Sequence, residues 1–105
     1  MKVLYLCKSY VIGFGSNYPK RAHHRSSSCP VPPQPCGWDV ADDKTASNAW
    51  TLYGGLVGGP DRFDAFLDNR KKFQQSEVTL DYNAALTGAS AGLLYYIDLG
   101  FVSGV

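Results

Sequence analysis

The chain carries little net charge and has no long hydrophobic run. Its 105 residues have a formal charge of +1, and 18% of them are charged. A surface so close to neutrality gives no electrostatic attraction for nucleic acid or for an anionic membrane, so we expect neither as a partner. No stretch approaches the roughly 18 apolar residues that cross a bilayer. We therefore expect no membrane-spanning segment.

The apolar run at the N-terminus is too short for a secretory signal. It lies between Lys2 and Lys8 and contains five residues, whereas the apolar part of a signal peptide needs roughly 7 to 15. We predict no signal peptide in these residues. Secreted-type chemistry further along would then indicate a piece of a longer exported protein.

Cysteine is scarce, and its number is odd. Three cysteines cannot all pair within one chain. Cys29 and Cys36 enclose the proline-rich loop CPVPPQPC, and a disulfide would close it in an oxidising compartment. Cys7 is interpreted as a small buried apolar side chain. A zinc site using both loop cysteines with His23 or His24 is the alternative, although the spacing of seven is wider than structural zinc sites use.

Glycine and proline are abundant, and they predict long irregular connections. The chain has 11 glycines and 6 prolines, and residues 16–43 are predicted to be one irregular segment. A short helix capped by Ser47 or Asn48 is predicted as far as Leu56. A longer one, capped by Asn83, is predicted from 84 to about 99. Residues 3–14 fit a helix or a strand. We predict an all-α chain of a few helices with long loops, which encloses little core and fits a larger helical domain.

Glutamate occurs once, at Glu77, within a dense polar stretch at residues 66–84. Asp68 lies nine positions earlier, about 180° around a straight helix, so the two carboxylates converge only if a loop intervenes. The residues alone leave two interpretations open. Phe73 and Tyr82 could give Glu77 an apolar setting suited to a proton donor, or the cations at 70–72 could pair with it as a structural carboxylate.

A second group of polar residues follows the glycine-containing residues 9–15. His23, His24 and Arg25 are consecutive, and on a loop the two histidines point to different sides, so at most one faces a given site. A solvated basic loop is the alternative. Five aromatic residues are candidate platforms for sugar rings, if they are not core: Tyr18, Trp38, Trp50, Tyr53 and Tyr82.

Two spaced motifs resemble the signatures of glycoside hydrolase family 9, the inverting cellulases. The first is SYVIGFG at 9–15 with Asn17, Pro19 and HHR at 23–25. The second is Phe66-x-Asp68, then Phe73, Glu77, Thr79 and Asn83-Ala84. LYGGLVGGPD at 52–61 resembles the family's link between them. The resemblance covers about 9–94, and the loop SSSCP…C…W is most like that of animal members.

The resemblance implies an (α/α)6 barrel that hydrolyses β-1,4-glucan without a cofactor or metal. Residues 9–105 would form the C-terminal portion of its catalytic domain, and residues 1–8 an atypical start. Glu77 corresponds to the general acid, and His23 and Asp68 to the other signature positions of the active site. Arg25 and Tyr82 would contact the sugar. The substrate would be β-1,4-glucan or a cello-oligosaccharide, and the full-length enzyme would be extracellular.

Departures from the family pattern concern the second catalytic carboxylate above all. Inversion needs a general base, which the family takes from a DAGD-like aspartate motif, and this sequence has none; VADD at 40–43 is a poor substitute. We therefore expect the chain to be inactive alone. A non-catalytic or vestigial carbohydrate-binding module is the alternative. Ile12 and Ala22 also depart from the first signature, with consequences expected for packing rather than chemistry.

Overall fold

The computed structural model describes residues 8–103, which form four α-helices and no β-strand. The helices are α1 (Arg25–Ser28), α2 (Trp38–Ala41), α3 (Phe73–Ser76) and α4 (Leu80–Asp98). The prediction of a helical chain with long loops is confirmed for these residues. None of the four helices is long and apolar enough to cross a membrane. The predictions for Cys7 and for residues 3–7 lie outside the described residues.

A small core forms where residues 9–15 pair with the glycine-rich residues 52–61. Ile12, Ala22 and Val57 are buried there, and the backbone N–H of Val57 donates to the Tyr10 carbonyl over 3.1 Å. The side chains packed around them are partly buried: Tyr10, Tyr18, Leu52, Phe66 and Val78. Both departures from the first signature, Ile12 and Ala22, therefore fall in this core.

The helix predicted from Ser47 or Asn48 to Leu56 is wrong. This segment consists of bends, turns and one β-bridge, in which Leu56 pairs with Val11. Gly54 has a φ of +82°, a left-handed conformation that a right-handed helix does not contain. Backbone N–H groups of this segment bond to distant carbonyls instead: that of Gly54 donates to Ile12, that of Asn48 to Lys20 and that of Trp50 to Ser27.

Helix α4 starts earlier than its predicted cap. It begins at Leu80 with Thr79 as the N-cap residue, so Asn83 lies inside the first turn. The Asn83 amide oxygen accepts from the Leu56 N–H over 2.8 Å, and its nitrogen donates to the carbonyls of Leu56 and Thr79 over 2.9 and 2.7 Å. Asn83 thus connects α4 to the glycine-rich residues 52–61 instead of capping the helix.

No residue of α4 is buried within the part of the chain that the structure describes. Large apolar side chains are exposed along it and just beyond it: Leu80, Leu93, Leu94, Tyr95, Tyr96, Leu99 and Phe101. An amphipathic helix normally buries its apolar side chains against a neighbour. Residues 8–103 therefore leave the apolar surface of α4 exposed.

Gly58 lies where residues 52–61 pass the backbone of α3, and we expect Gly58→Ala to destabilise the fold. A Cβ at this position would overlap the Gln74 carbonyl oxygen, which belongs to backbone and cannot rotate away. The Gly58 N–H also donates to the Glu77 carbonyl over 3.0 Å. We expect a loss of about 1–3 kcal/mol in the free energy of unfolding, typical of overpacking, measured by urea denaturation.

Gly92→Ala in α4 is the matched control. No atom lies within 4 Å of the added Cβ, and alanine is favoured over glycine inside a helix by about 0.5–1 kcal/mol. The two substitutions should therefore change stability in opposite directions. Equal effects would contradict the close approach at Gly58.

Candidate active site

The structure brings together His23 and Glu77, which lie far apart in the sequence. They form an isolated parallel β-bridge, and the His23 N–H donates to the carbonyl of Ser76, which is fully buried, over 2.9 Å. This contact joins the HHR segment to the segment of the single glutamate. Residues 69–72 are not helical, so Asp68 and Glu77 do not lie on one straight helix.

The ring of His23 has a fixed orientation. Its Nδ1 lies 2.8 Å from the Arg70 carbonyl oxygen, and because a carbonyl only accepts, Nδ1 carries the proton. Phe73 lies beside the ring, with the centroids 6.2 Å apart. The other nitrogen, Nε2, is thereby left to accept a hydrogen bond when the ring is neutral.

His24 has a structural role. It is the N-cap residue of α1, and its Nδ1 accepts from the Ser27 N–H over 3.3 Å. The two adjacent histidines therefore make different contacts, as expected of neighbours on a loop.

Glu77 has a fixed backbone. Its N–H donates to the Phe73 carbonyl over 2.9 Å, its carbonyl accepts from the Gly58 N–H over 3.0 Å, and the same carbonyl accepts from the Tyr82 hydroxyl. The one ion pair among residues 8–103 is elsewhere, so no described cation pairs with the Glu77 carboxylate. The interpretation as a salt-bridged carboxylate beside the cations at 70–72 is thus not supported, and within residues 8–103 no ionic partner of the side chain opposes a chemical role.

Asp68 binds the backbone just ahead of the HHR segment. Its two oxygens accept from the N–H groups of Lys20 and Arg21 over 2.8 and 3.0 Å, and Arg21 Nη1 lies 3.6 Å from Oδ2. With both oxygens occupied in this way, the carboxylate holds the segment that leads to His23. These contacts fix the orientation of the carboxylate, and its role at a signature position of the active site stays a prediction.

Arg70 is the main buried polar residue, and the sequence interpretation missed its role. Its side chain is 2% exposed and donates to the carbonyls of Asp43 and Ala46 and to the Asn48 amide oxygen. Burial lowers the pKa of the Arg70 guanidinium below its usual value, and the nearby Asp43 carboxylate partly offsets this effect. Since arginine stays charged in proteins, Arg70 is a fixed cation under the loop at 43–48.

Asn48 completes this buried polar network instead of capping a helix. Its side-chain nitrogen donates to the Ala22 carbonyl over 3.0 Å and to Ser27 Oγ over 2.6 Å, while its oxygen accepts from Arg70. These partners are 21 to 26 positions away in the chain. No local pattern identified them, because Asn48 was interpreted only through the residues that follow it.

Arg25 lies near His23 and contacts the proline-rich loop. The structure contains the disulfide between Cys29 and Cys36 that closes this loop. The Arg25 guanidinium stacks on Trp38, 4.8 Å from the ring centroid, and donates to the Cys36 carbonyl over 3.3 Å. A cleft of about 190 Å³ is bordered by His23, Arg25 and Trp38.

The remaining aromatic candidates are not all equivalent. Trp38, Trp50 and Tyr53 are 70%, 50% and 78% exposed, whereas Tyr18 packs against the core. Tyr82 is half-buried, with its hydroxyl bonded to the Glu77 carbonyl. Contact between Tyr82 and a sugar therefore stays a prediction. The observed contact of its hydroxyl positions Glu77.

The zinc alternative loses its thiolate ligands. Cys29 and Cys36 are joined in the disulfide, so neither sulfur is available as a metal-binding thiolate. Residues 8–103 contain no group of three histidine, cysteine, aspartate or glutamate side chains arranged to hold a metal.

Comparison with known proteins identifies the family. The family model described as Glycosyl hydrolase family 9 matches residues 5–90. The chain is 41% identical to Endoglucanase 4 of Bacillus sp. (strain KSM-522), an alignment that covers 82% of this chain and 12% of that protein. It is 43% identical to Endoglucanase 2 of Persea americana, over 79% of this chain and 68% of that sequence.

Solved structures agree with the sequence relatives. The endoglucanase of the termite Nasutitermes takasagoensis superposes with a TM-score of 0.77 at 48% identity, over 82% of this chain and 20% of the termite chain. Endoglucanase CelQ of Clostridium thermocellum, solved with cellobiose and cellotriose, superposes with a TM-score of 0.67 at 42% identity, over 81% and 13% of the two chains.

The chain belongs to glycosyl hydrolase family 9. The resemblance carried by its two spaced motifs is thereby confirmed. The chain spans 12% of the length of the Bacillus relative. The activity of a whole family enzyme is therefore only a proposal for this chain.

Proposed function

We propose that this chain supplies the general acid of an active site that hydrolyses β-1,4-glucosidic bonds in cellulose with inversion. The observation that carries the proposal is the pairing of His23 with Glu77, whose backbone is bonded at both its N–H and its carbonyl and whose carboxylate has no described ionic partner. Membership of a family whose relatives are named endoglucanases supports the reaction class.

Glu77 is the general acid in this proposal. It gives its proton to the glycosidic oxygen as the bond to the anomeric carbon breaks, so the leaving sugar departs as an alcohol. Water attacks the same carbon from the opposite face, activated by a second carboxylate roughly 6.5–9.5 Å from the first. Because Asp68 is occupied with backbone N–H groups, we do not assign it this second role.

The other site residues bind and orient. His23 accepts a sugar hydroxyl at Nε2, since its Nδ1 is engaged with the Arg70 carbonyl. Arg25 donates to sugar oxygens from the border of the same cleft. Asp68 acts by binding the backbone N–H groups of Lys20 and Arg21, just ahead of the HHR segment, and Tyr82 combines its contact to Glu77 with a sugar-facing ring.

We propose that residues 9–105 form the C-terminal wall of an (α/α)6 barrel. The uncovered apolar side chains of α4 support this arrangement, because neighbouring barrel helices would bury them. An extracellular site of action is supported by the Cys29–Cys36 disulfide, which persists in oxidising compartments.

A non-catalytic carbohydrate-binding role is the second candidate. Three exposed aromatic residues favour it, because exposed rings are suitable platforms for sugars: Trp38, Trp50 and Tyr53. This role needs sugar contact and no proton transfer. It predicts binding of cello-oligosaccharides that is unaffected by Glu77→Gln.

A segment exchange distinguishes the two functions. In a chimaeric enzyme, residues 9–94 of this chain replace the matching segment of the termite endoglucanase, with which they share 48% identity. We expect the chimaera to release reducing ends from carboxymethylcellulose, and the 105-residue chain to release none because it has no DAGD-like motif. A folded chimaera without activity would contradict the catalytic proposal. Turnover by the chain itself, abolished in Glu77→Gln, would contradict its expected inactivity.

A further inference from the structure

The guanidinium of Arg25 is held by residues from the far side of the disulfide-closed loop. Arg25 opens α1, and its side chain is exposed. Its two contacts are to Trp38, in the first turn of α2, and to the Cys36 carbonyl. A long arginine side chain in water samples many rotamers. These contacts select one position for it beside the cleft that His23 also borders.

The disulfide explains how Trp38 comes back to Arg25. Cys29 directly follows α1 and donates its N–H to the Arg25 carbonyl over 3.0 Å. Cys36 precedes α2 by one residue, and the bond between the two sulfurs joins the ends of the loop. Closing a loop in this way restricts the conformations available to the residues at its base. The loop therefore connects α1 and α2 so that the indole of α2 covers the arginine of α1.

Trp38 has no place in the core. It is 70% exposed, and its described ring contact is the stacking with Arg25. A cation over an indole is attracted by the negative face of the ring. Ordering Arg25 before a ligand arrives lowers the entropy lost on binding.

We propose that Trp38, held by the Cys29–Cys36 loop, is a positioning residue that orients Arg25 for a sugar ligand. This inference rests on the proposed function, since that function makes Arg25 a sugar contact. Trp38 acts through Arg25 and does not touch the reacting atoms. The ligand class is a β-1,4-linked glucose oligosaccharide, whose hydroxyls accept hydrogen bonds from the guanidinium.

The first measurement needs no ligand. In the full 105-residue chain, the Arg25 Nε–H resonance in a ¹⁵N–¹H spectrum should show an upfield ring-current shift from Trp38. Trp38→Ala should remove this shift, Trp38→Phe should keep part of it, and reduction of the disulfide should decrease it. Phe63→Ala is the matched control, because Arg62 and Phe63 form an exposed stacked pair elsewhere, with 4.5 Å between the guanidinium and the ring centroid. It should leave Arg25 unchanged.

The second measurement is titration with cellotriose, followed in the same spectra. Trp38→Ala should weaken binding about two- to fivefold, the factor that corresponds to an exposed cation–π contact. Trp38→Phe should restore most of the affinity, and Phe63→Ala should not change it. A retained amide spectrum in each variant shows that the fold is intact.

The outcomes separate the two proposals. If the wild-type chain binds cellotriose but Trp38→Ala binds it equally well, or if the Arg25 resonance has no ring-current shift, the positioning role of Trp38 is wrong and the sugar site stands. If the shift is present but the wild-type chain binds no cellotriose, the proposed sugar site is wrong, and the role of Trp38 in it is overturned as well.

Discussion

Glu77→Gln should reduce the turnover number of the chimaeric enzyme on carboxymethylcellulose by about a thousandfold, within the range that general acid catalysis contributes. Glutamine has nearly the same shape but no proton to give to the glycosidic oxygen. The backbone contacts of Glu77 to Phe73 and Gly58 do not involve the side chain, so the variant should fold normally. Reducing-end assays at saturating substrate measure the effect.

The leaving group identifies the lost step. Dinitrophenolate departs without protonation, so on dinitrophenyl β-cellobioside the same variant should lose far less activity than on carboxymethylcellulose. A carboxylate needed only for binding would reduce both rates alike. Asp81→Asn is the matched control, because Asp81 is an exposed carboxylate in the first turn of α4. It should keep near wild-type turnover, and a thousandfold loss in it would contradict the specific role of Glu77.

The assignment of Glu77 as the general acid rests on the family resemblance and stays a prediction, because the residues alone left a structural carboxylate open. Membership of the family could be predicted from the sequence because its motifs depend on local spacing. Phe66, Asp68, Phe73 and Glu77 are separated by fixed intervals within one short segment. Helical composition could be predicted for the same reason, since the pattern of residues 84–99 repeats within a few turns. Local patterns of this kind need no knowledge of distant residues.

The parts that could not be predicted depend on side chains that bond to distant backbone. Asp68 accepts from N–H groups 47 and 48 positions earlier, and Asn83 bonds to Leu56, 27 positions earlier. An asparagine near a helix start is a good cap in the local view, and at Asn83 the contact with distant Leu56 decided otherwise. The exact starts of the helices and the roles of the polar residues therefore required the structure.

Arg70 is the clearest such residue, and Arg70→Met should lower the free energy of unfolding by about 3 kcal/mol. Methionine keeps much of the apolar stem but removes every donor, which leaves the carbonyls of Asp43 and Ala46 and the amide oxygen of Asn48 without their charged partner. Hydrogen bonds to a charged group contribute about 1.5–3 kcal/mol each when they are buried, and water entering the loop at 43–48 offsets part of their loss. Urea denaturation of the chimaeric enzyme gives the value.

Lys71→Met provides the control because Lys71 is the exposed neighbour of Arg70, and a surface substitution there should change stability by less than about 0.5 kcal/mol. Arg70→Lys should lie between the two, since lysine keeps the charge but cannot donate to several acceptors in the planar geometry of a guanidinium. The Arg70 carbonyl also accepts from His23 Nδ1, so loosening this loop should weaken cello-oligosaccharide binding together with stability. If Arg70→Met proved as stable as Lys71→Met, the buried network would not hold the loop at 43–48.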